Sequence, residues 1–185
     1  MKVLIPIDVN AAVLVSTSIA PDTRPAWASG TNYAQGAECV YGTRAYERLA
    51  AGAGTKPPPE DTNAWLDIGP INSHAMFDDV IGTVSTGASP LTIVLRPRGV
   101  SSVGFIGAKG REVRVQLTDR EGEGAQTVVD RRVSLDATPI FSVYDWFFKD
   151  FEPLEDFVVT GLPEHYRSGL LTITITSTTG EASVG

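Results

Sequence analysis

The chain has 185 residues, 42% of them hydrophobic and 20% charged, with a formal net charge of −7 and a pI near 4.8. That composition is soluble and globular, and its acidic balance works against duplex DNA or an anionic membrane, because either needs a concentrated basic face. Gly (18) and Pro (12) punctuate the chain often enough to favour many short strands over long helices.

The length allows either one ordinary domain or a small module beside a domain of about 100 residues, and the patterning favours the second. Arg96, Arg98, Lys109, Arg111 and Arg114 gather loosely, but acidic residues soon follow, which reads as a solvated face. The single cysteine, Cys39, excludes an intrachain disulfide and reads as a small buried hydrophobe. Pro6 and Asp8 interrupt an N-terminal apolar run already too short for a secretory signal, and the apolar runs fall well below the ~20 residues of a membrane span. Synthesis in the cytoplasm is expected, without membrane insertion.

Residues 1–20 carry two short apolar pieces, Val3-Leu4-Ile5 and Ala11 to Val15, and read as an N-terminal arm or edge strand. Residues 21–69 form an aromatic, Gly- and Pro-rich unit: Trp27, Tyr33, Cys39-Val40-Tyr41 and Tyr46, then Asn63-Ala64-Trp65-Leu66-Asp67-Ile68. Two or three very short strands are predicted there, with turns at Ser29-Gly30 and Tyr41-Gly42. A joint follows, Gly69 through Asn72, His74 and Asp78 to Asp79, and opens the second domain, 70–185.

Beyond the joint, period-two alternation becomes explicit. Leu91 to Leu95, Val103 to Gly107, Glu112 to Leu117, Thr127 to Val129, Arg132 to Leu135, Phe157 to Val159 and Leu170 to Thr176 all read as strands. Val113, Val115 and Leu117 share one face, as do Leu171, Ile173 and Ile175, while Asp119 to Gly124 makes a charged hairpin loop. The fold class is therefore all-β, a small β module plus an antiparallel β-sandwich. Phe141 to Phe151, the densest aromatic run, breaks the alternation; a loop or single helical turn capping one end of the sandwich is expected there.

The order Trp27, Tyr33, Gly36, Val40, Tyr46, Pro58 and Trp65 resembles the small chitin-binding-type carbohydrate module. The continuation through Asn72 and Ala75-Met76-Phe77-Asp78 is similar to tailed-bacteriophage structural proteins that carry this module ahead of a β-sandwich. The spacing from that opening to the late Ile-Thr-Ile-Thr strand resembles the galactose-binding-like jelly roll, whose last strand, at Ala182 to Gly185, is either short here or carried further in longer relatives. These resemblances imply a non-enzymatic virion component of the tail tip, baseplate or fibre-attachment region. Its partners would be other virion proteins and further copies of itself. A host-glycan adsorption protein and a capsid decoration protein are the alternatives.

Two groups of residues are the candidates for such contacts. The module's aromatics have two readings, as core or as a sugar platform of coplanar exposed rings. The module resemblance would make Trp27, Tyr46 and Trp65 the carbohydrate-binding residues. Tyr144, Trp146, Phe147, Phe148 and Phe151 read either as a protein interface or as a buried cap.

For other chemistry the residues offer little. His74 and His165 lie far apart with no Cys or second His at ligand spacing, so no metal or other cofactor is expected. His74 reads as a hydrogen-bonded hinge residue, and Asp78 and Asp79 lack the Asp-x-Asp-x-Asp-Gly setting of a calcium loop. Glu152, Glu155 and Asp156 could pair for hydrolysis but sit in a Pro-flanked acidic loop that reads as solvated, and neither a nucleophile elbow nor a Walker loop occurs.

Overall fold

Alternation of Leu91, Ile93 and Leu95 with Thr92 and Val94 puts three apolar side chains on one face of a strand, and the same device recurs twice more. In the computed structural model, which describes residues 6–10, 12–80 and 82–185, these strands lie side by side. β1 (Leu14–Thr17), β8 (Leu91–Leu95), β13 (Leu171–Thr176), β10 (Glu112–Thr118) and β11 (Thr127–Ser134) form a five-stranded antiparallel sheet in that spatial order. Register aligns the apolar positions into rows: Leu91 with Ile175 and Val113, Ile93 with Ile173 and Val115, Leu95 with Leu171 and Leu117. All nine side chains are buried. Each removes enough apolar area from water to stabilise the fold by about 1.5–3 kcal/mol, before the ordering cost.

The facing layer is made of two antiparallel pairs, β9 (Ser102–Phe105) with β12 (Phe157–Thr160), and β7 (Ser85–Ala88) with β14 (Glu181–Val184). It contributes Phe105, Val159, Ala182 and Val184 to the core, and Phe105 stacks on Phe157 at 4.7 Å. The predicted all-β sandwich is what the chain forms. β1 closes one sheet edge and sends Ile19 into the same core. β11 closes the other, and its Asp130, Arg131 and Arg132 make it a poor template for further strand pairing.

The aromatic unit ahead of the sandwich holds five strands where two or three were expected. β2 (Thr31–Tyr33) pairs with β5 (Gly52–Gly54), and β3 (Glu38–Tyr41), β4 (Arg44–Arg48) and β6 (Trp65–Pro70) form a three-stranded sheet. Its core is Tyr33, Cys39, Tyr46 and Trp65, with Trp27 half-buried against them. A Cβ on Gly54 would sit 2.9 Å from the Tyr33 ring and 3.3 Å from the Trp27 indole nitrogen, so this backbone must approach the rings bare. Burial also raises the Cys39 thiol above its ordinary range, which leaves it unreactive.

The joint is pinned by hydrogen bonds. The Asn72 amide donates to the Thr86 carbonyl (2.8 Å) and accepts the Thr86 N–H (2.9 Å). The fully buried Ser85 hydroxyl donates to the Asn72 carbonyl (2.6 Å) and accepts from Met76 N–H (2.8 Å). Arg44 of β4 reaches Asp78 at 3.6 Å across the same joint, which commits that carboxylate to an ion pair. His74 is hydrogen-bonded as expected, its Nδ1 3.0 Å from Ser73 Oγ, while its buried Nε2 has no partner among the described residues. Of the expected N-terminal apolar pieces, Val3-Leu4-Ile5 and Ala11 lie outside the described residues.

Candidate interaction surface

In the small unit the local sequence builds a core, not a platform. Trp65 opens β6 and Tyr46 sits mid-β4, one strand over, so both point into the gap between the two small sheets. Trp65 is 2% exposed and Tyr46 6%. The Trp65 ring meets Tyr33 edge-on at 4.9 Å and carries the Arg48 guanidinium 4.9 Å above its centroid. Tyr33 is held by its hydroxyl, which accepts the Ala28 N–H at 2.8 Å. Trp27 is only half-buried, but its one aromatic neighbour toward solvent, Tyr41, meets it at 88°. The expected platform of Trp27, Tyr46 and Trp65 therefore needs correcting: no two of these rings lie coplanar in water, because a unit this small must spend its aromatics on its own interior.

The second group is placed differently. β11 leads through Asp136 to a stalk closed by one antiparallel bridge, Asp136 with Pro153, and by Ala137 N–H to the Glu152 carbonyl and Leu154 N–H to the Leu135 carbonyl, both 2.9 Å. At its tip is a single short helix, α1 (Val143–Phe148). Ser142 caps it by accepting the Asp145 N–H at 3.1 Å, and the Asp145 carboxylate reaches back to the Phe141 N–H at 2.9 Å, a reciprocal arrangement that satisfies two otherwise unpaired donors. Lys149 closes the far side with its amine on the Pro139 carbonyl at 3.0 Å and 5.8 Å from the Phe141 ring centre.

Except at Asp145 the helix carries apolar side chains, and it buries none of them. Phe141, Tyr144, Trp146, Phe147, Phe148 and Phe151 are 61–87% exposed, and Ile140 and Val143 extend the patch. The rings pack on one another, Tyr144 on Phe148 at 4.7 Å and Trp146 on Phe147 at 4.8 Å. The expectation that this segment caps the sandwich is corrected: none of its rings is buried against the core. At 150–250 Å² per aromatic side chain, six rings so exposed present roughly 600–1,000 Å² of apolar surface. That is more than the ~300–600 Å² patch typical of a monomer. Phe141 and Val143 belong to this surface although sequence reasoning left them out; their place within the same unbroken aromatic run was the available signal.

The remaining candidates are dispersed. Asp156 accepts the Gly107 N–H at 2.9 Å, Glu152 lies 4.0 Å from Lys149, and the His165 ring sits tilted against Tyr166 at 4.1 Å. Among the described residues, no three His, Cys, Asp or Glu side chains gather as metal ligands.

Both aromatic groups thus belong to an antiparallel all-β chain, a five-stranded sheet faced by two strand pairs behind a small aromatic-cored unit. No protein-family model matches the sequence, and no curated protein matches it. Among solved structures the chain is similar to the family 32 carbohydrate-binding module from C. perfringens NanJ, in complex with galactose. The TM-score is 0.39 at 17% identity, covering 60% of this chain and 79% of that one. A likeness of this size carries no argument about what the present chain binds. The phage resemblance read from the sequence has no counterpart in these comparisons.

Proposed function

We propose that this protein is a non-enzymatic structural component of a phage virion, in the tail tip, baseplate or fibre-attachment region, and that it works by docking α1 on a neighbouring protein. The docking half rests on one observation, a stalked helix whose Tyr144, Trp146, Phe147 and Phe148 rings are all exposed. Five of the six residues of this helix are apolar or aromatic, Asp145 being the exception, and none of them is buried. Exposed Trp, Tyr and Phe clusters of this size are the usual anchors of protein interfaces. The virion half rests on the sequence resemblance through Asn72 and Ala75-Met76-Phe77-Asp78. The host-glycan reading loses its support with the burial of Tyr46 and Trp65.

The test is incorporation into particles. Trp146→Ala with Phe148→Ala removes anchors that touch no core residue, so the variant should keep its thermal transition and disappear from purified virions. Wild-type incorporation of that folded variant would sink the docking reading. Labelled protein found on heads instead of tails would move the site to capsid decoration.

A further inference from the structure

We infer that the joint between the small unit and the sandwich is an acid-operated hinge: protonation of His74 releases the turn 72–77 from β7, so that acid loosens the tether before it unfolds either side. The turn is held from both directions. On the sandwich side the Asn72 amide and carbonyl and the Met76 N–H bond to Ser85 and Thr86 of β7, and Met76 and Phe77 lie half-buried against the core. On the small-unit side the Ile71 N–H donates to the Thr43 carbonyl at 3.0 Å, and Arg44 reaches Asp78. At the two ends of the joint stand Gly69 (φ 115°) and Gly82 (φ 98°), left-handed positions with open space where a Cβ would be. Glycines so placed absorb a change of backbone angle at little steric cost, which is what a hinge requires.

His74 is the group in this turn that mild acid changes. Its ring is half-buried, meets Phe77 edge-on at 6.3 Å, and has one side-chain partner, Ser73 Oγ at 3.0 Å from Nδ1. A neutral ring tolerates the unpartnered, buried Nε2; in the imidazolium both nitrogens are donors, and the Nε2 proton would face no acceptor. No carboxylate compensates for that charge. Asp78 is engaged by Arg44 at 3.6 Å and by Thr83 at 3.5 Å, Asp67 by Arg44 at 2.7 Å, and neither these nor Asp79 ion-pairs with the ring. β7, the strand that the turn bonds to, carries no charged residue. Burial alone accordingly holds His74 below its ordinary pKa, so the proton binds more tightly once the turn is open. The closed turn keeps its full stability above about pH 6.5 and loses it as pH falls towards the lowered pKa, the open population growing by up to about tenfold per pH unit. Opening breaks the bonds of Asn72 and Met76 first, because these stand two residues to either side of the ring. The hinge does not depend on what α1 docks on.

Amide hydrogen exchange of the full chain between about pH 7.5 and about pH 5, corrected for the intrinsic rate at each pH, tests this above the range where ordinary carboxylates titrate. Protection of the Met76 and Thr86 amides, which donate across the joint, should fall by at least about threefold over that interval. Protection of the Trp65 amide in the small unit and of the β13 amides in the sandwich should hold. His74→Gln, which cannot take the proton, should keep its thermal transition and lose the pH dependence; His74→Phe replaces it if the Gln variant does not fold. The inference is overturned if Met76 and Thr86 are as protected in acid as at neutral pH. It is overturned equally if the Trp65 and β13 amides lose protection in step with them, since acid then unfolds the chain as a whole. If the His74 variant keeps the pH dependence, another group carries it and the hinge is not His74's.

Discussion

Trp65→Ala separates a core ring from a binding ring. Truncating a buried Trp costs about 3–5 kcal/mol, the transfer loss plus the cavity left behind. Here the ring also carries an edge contact to Tyr33 and the Arg48 guanidinium, and Arg48 is 6% exposed with its Nε on the Ala50 carbonyl at 2.9 Å. The upper half of that range is therefore expected, about 4 kcal/mol. A unit this small rarely holds more than ~3–5 kcal/mol of its own, so the variant should open β3, β4 and β6 while the sandwich stays folded. Native-state hydrogen exchange reads both regions at once. Protection of the Val40, Arg48 and Trp65 amides should fall by about a thousandfold, at tenfold per 1.4 kcal/mol, and that of the β13 amides should hold. If those amides change less than about tenfold, Trp65 is not a core anchor, and the placement of the aromatic cluster is wrong.

Ser85→Ala leaves the Asn72 carbonyl and the Met76 N–H without their buried partner, a loss of about 1–3 kcal/mol that should appear in a denaturant midpoint at unchanged m and as faster Met76 exchange. Gly169→Ala would drive a Cβ into the Thr118 carbonyl oxygen, a backbone atom, so at least the ~1–3 kcal/mol of overpacking is expected by the same assay. Burial holds the His74 ring below its ordinary pKa, so the folded state binds that proton less readily than the unfolded one. Stability should be full above about pH 6.5 and decline as pH falls below it, and His74→Gln should flatten that limb in a pH series of thermal midpoints. The Asp22 carboxylate is held low by the Arg24 side chain; its contribution is present above the ordinary carboxylate range and lost only as pH falls through its own lowered pKa, so the two limbs separate.

The main sheet was legible because it buries one face. Leu91-Ile93-Leu95, Val113-Val115-Leu117 and Leu171-Ile173-Ile175 each write a period of two, and a slip of one residue would turn every one of them outward. β7 was not legible, and β14 was placed through the jelly-roll resemblance and not by its own pattern. Ser85-Thr86-Gly87-Ala88 and Glu181-Ala182-Ser183-Val184 have little apolar signal, and each is a strand only because the other pairs with it across most of the sandwich domain.

The sequence by itself determined that this is an all-β chain with a small aromatic unit ahead of a sandwich, and that its aromatics concentrate in two places. Only tertiary structure decided which way those rings face. A Trp beside a Tyr reads alike as core or platform until the second sheet of the small unit closes over it, as β2 and β5 do over Trp65 and Tyr46. A run of Phe and Trp reads alike as cap or knob until the fold leaves none of its rings buried against the core. Orientation depends on long-range pairing, which no local pattern of side chains contains.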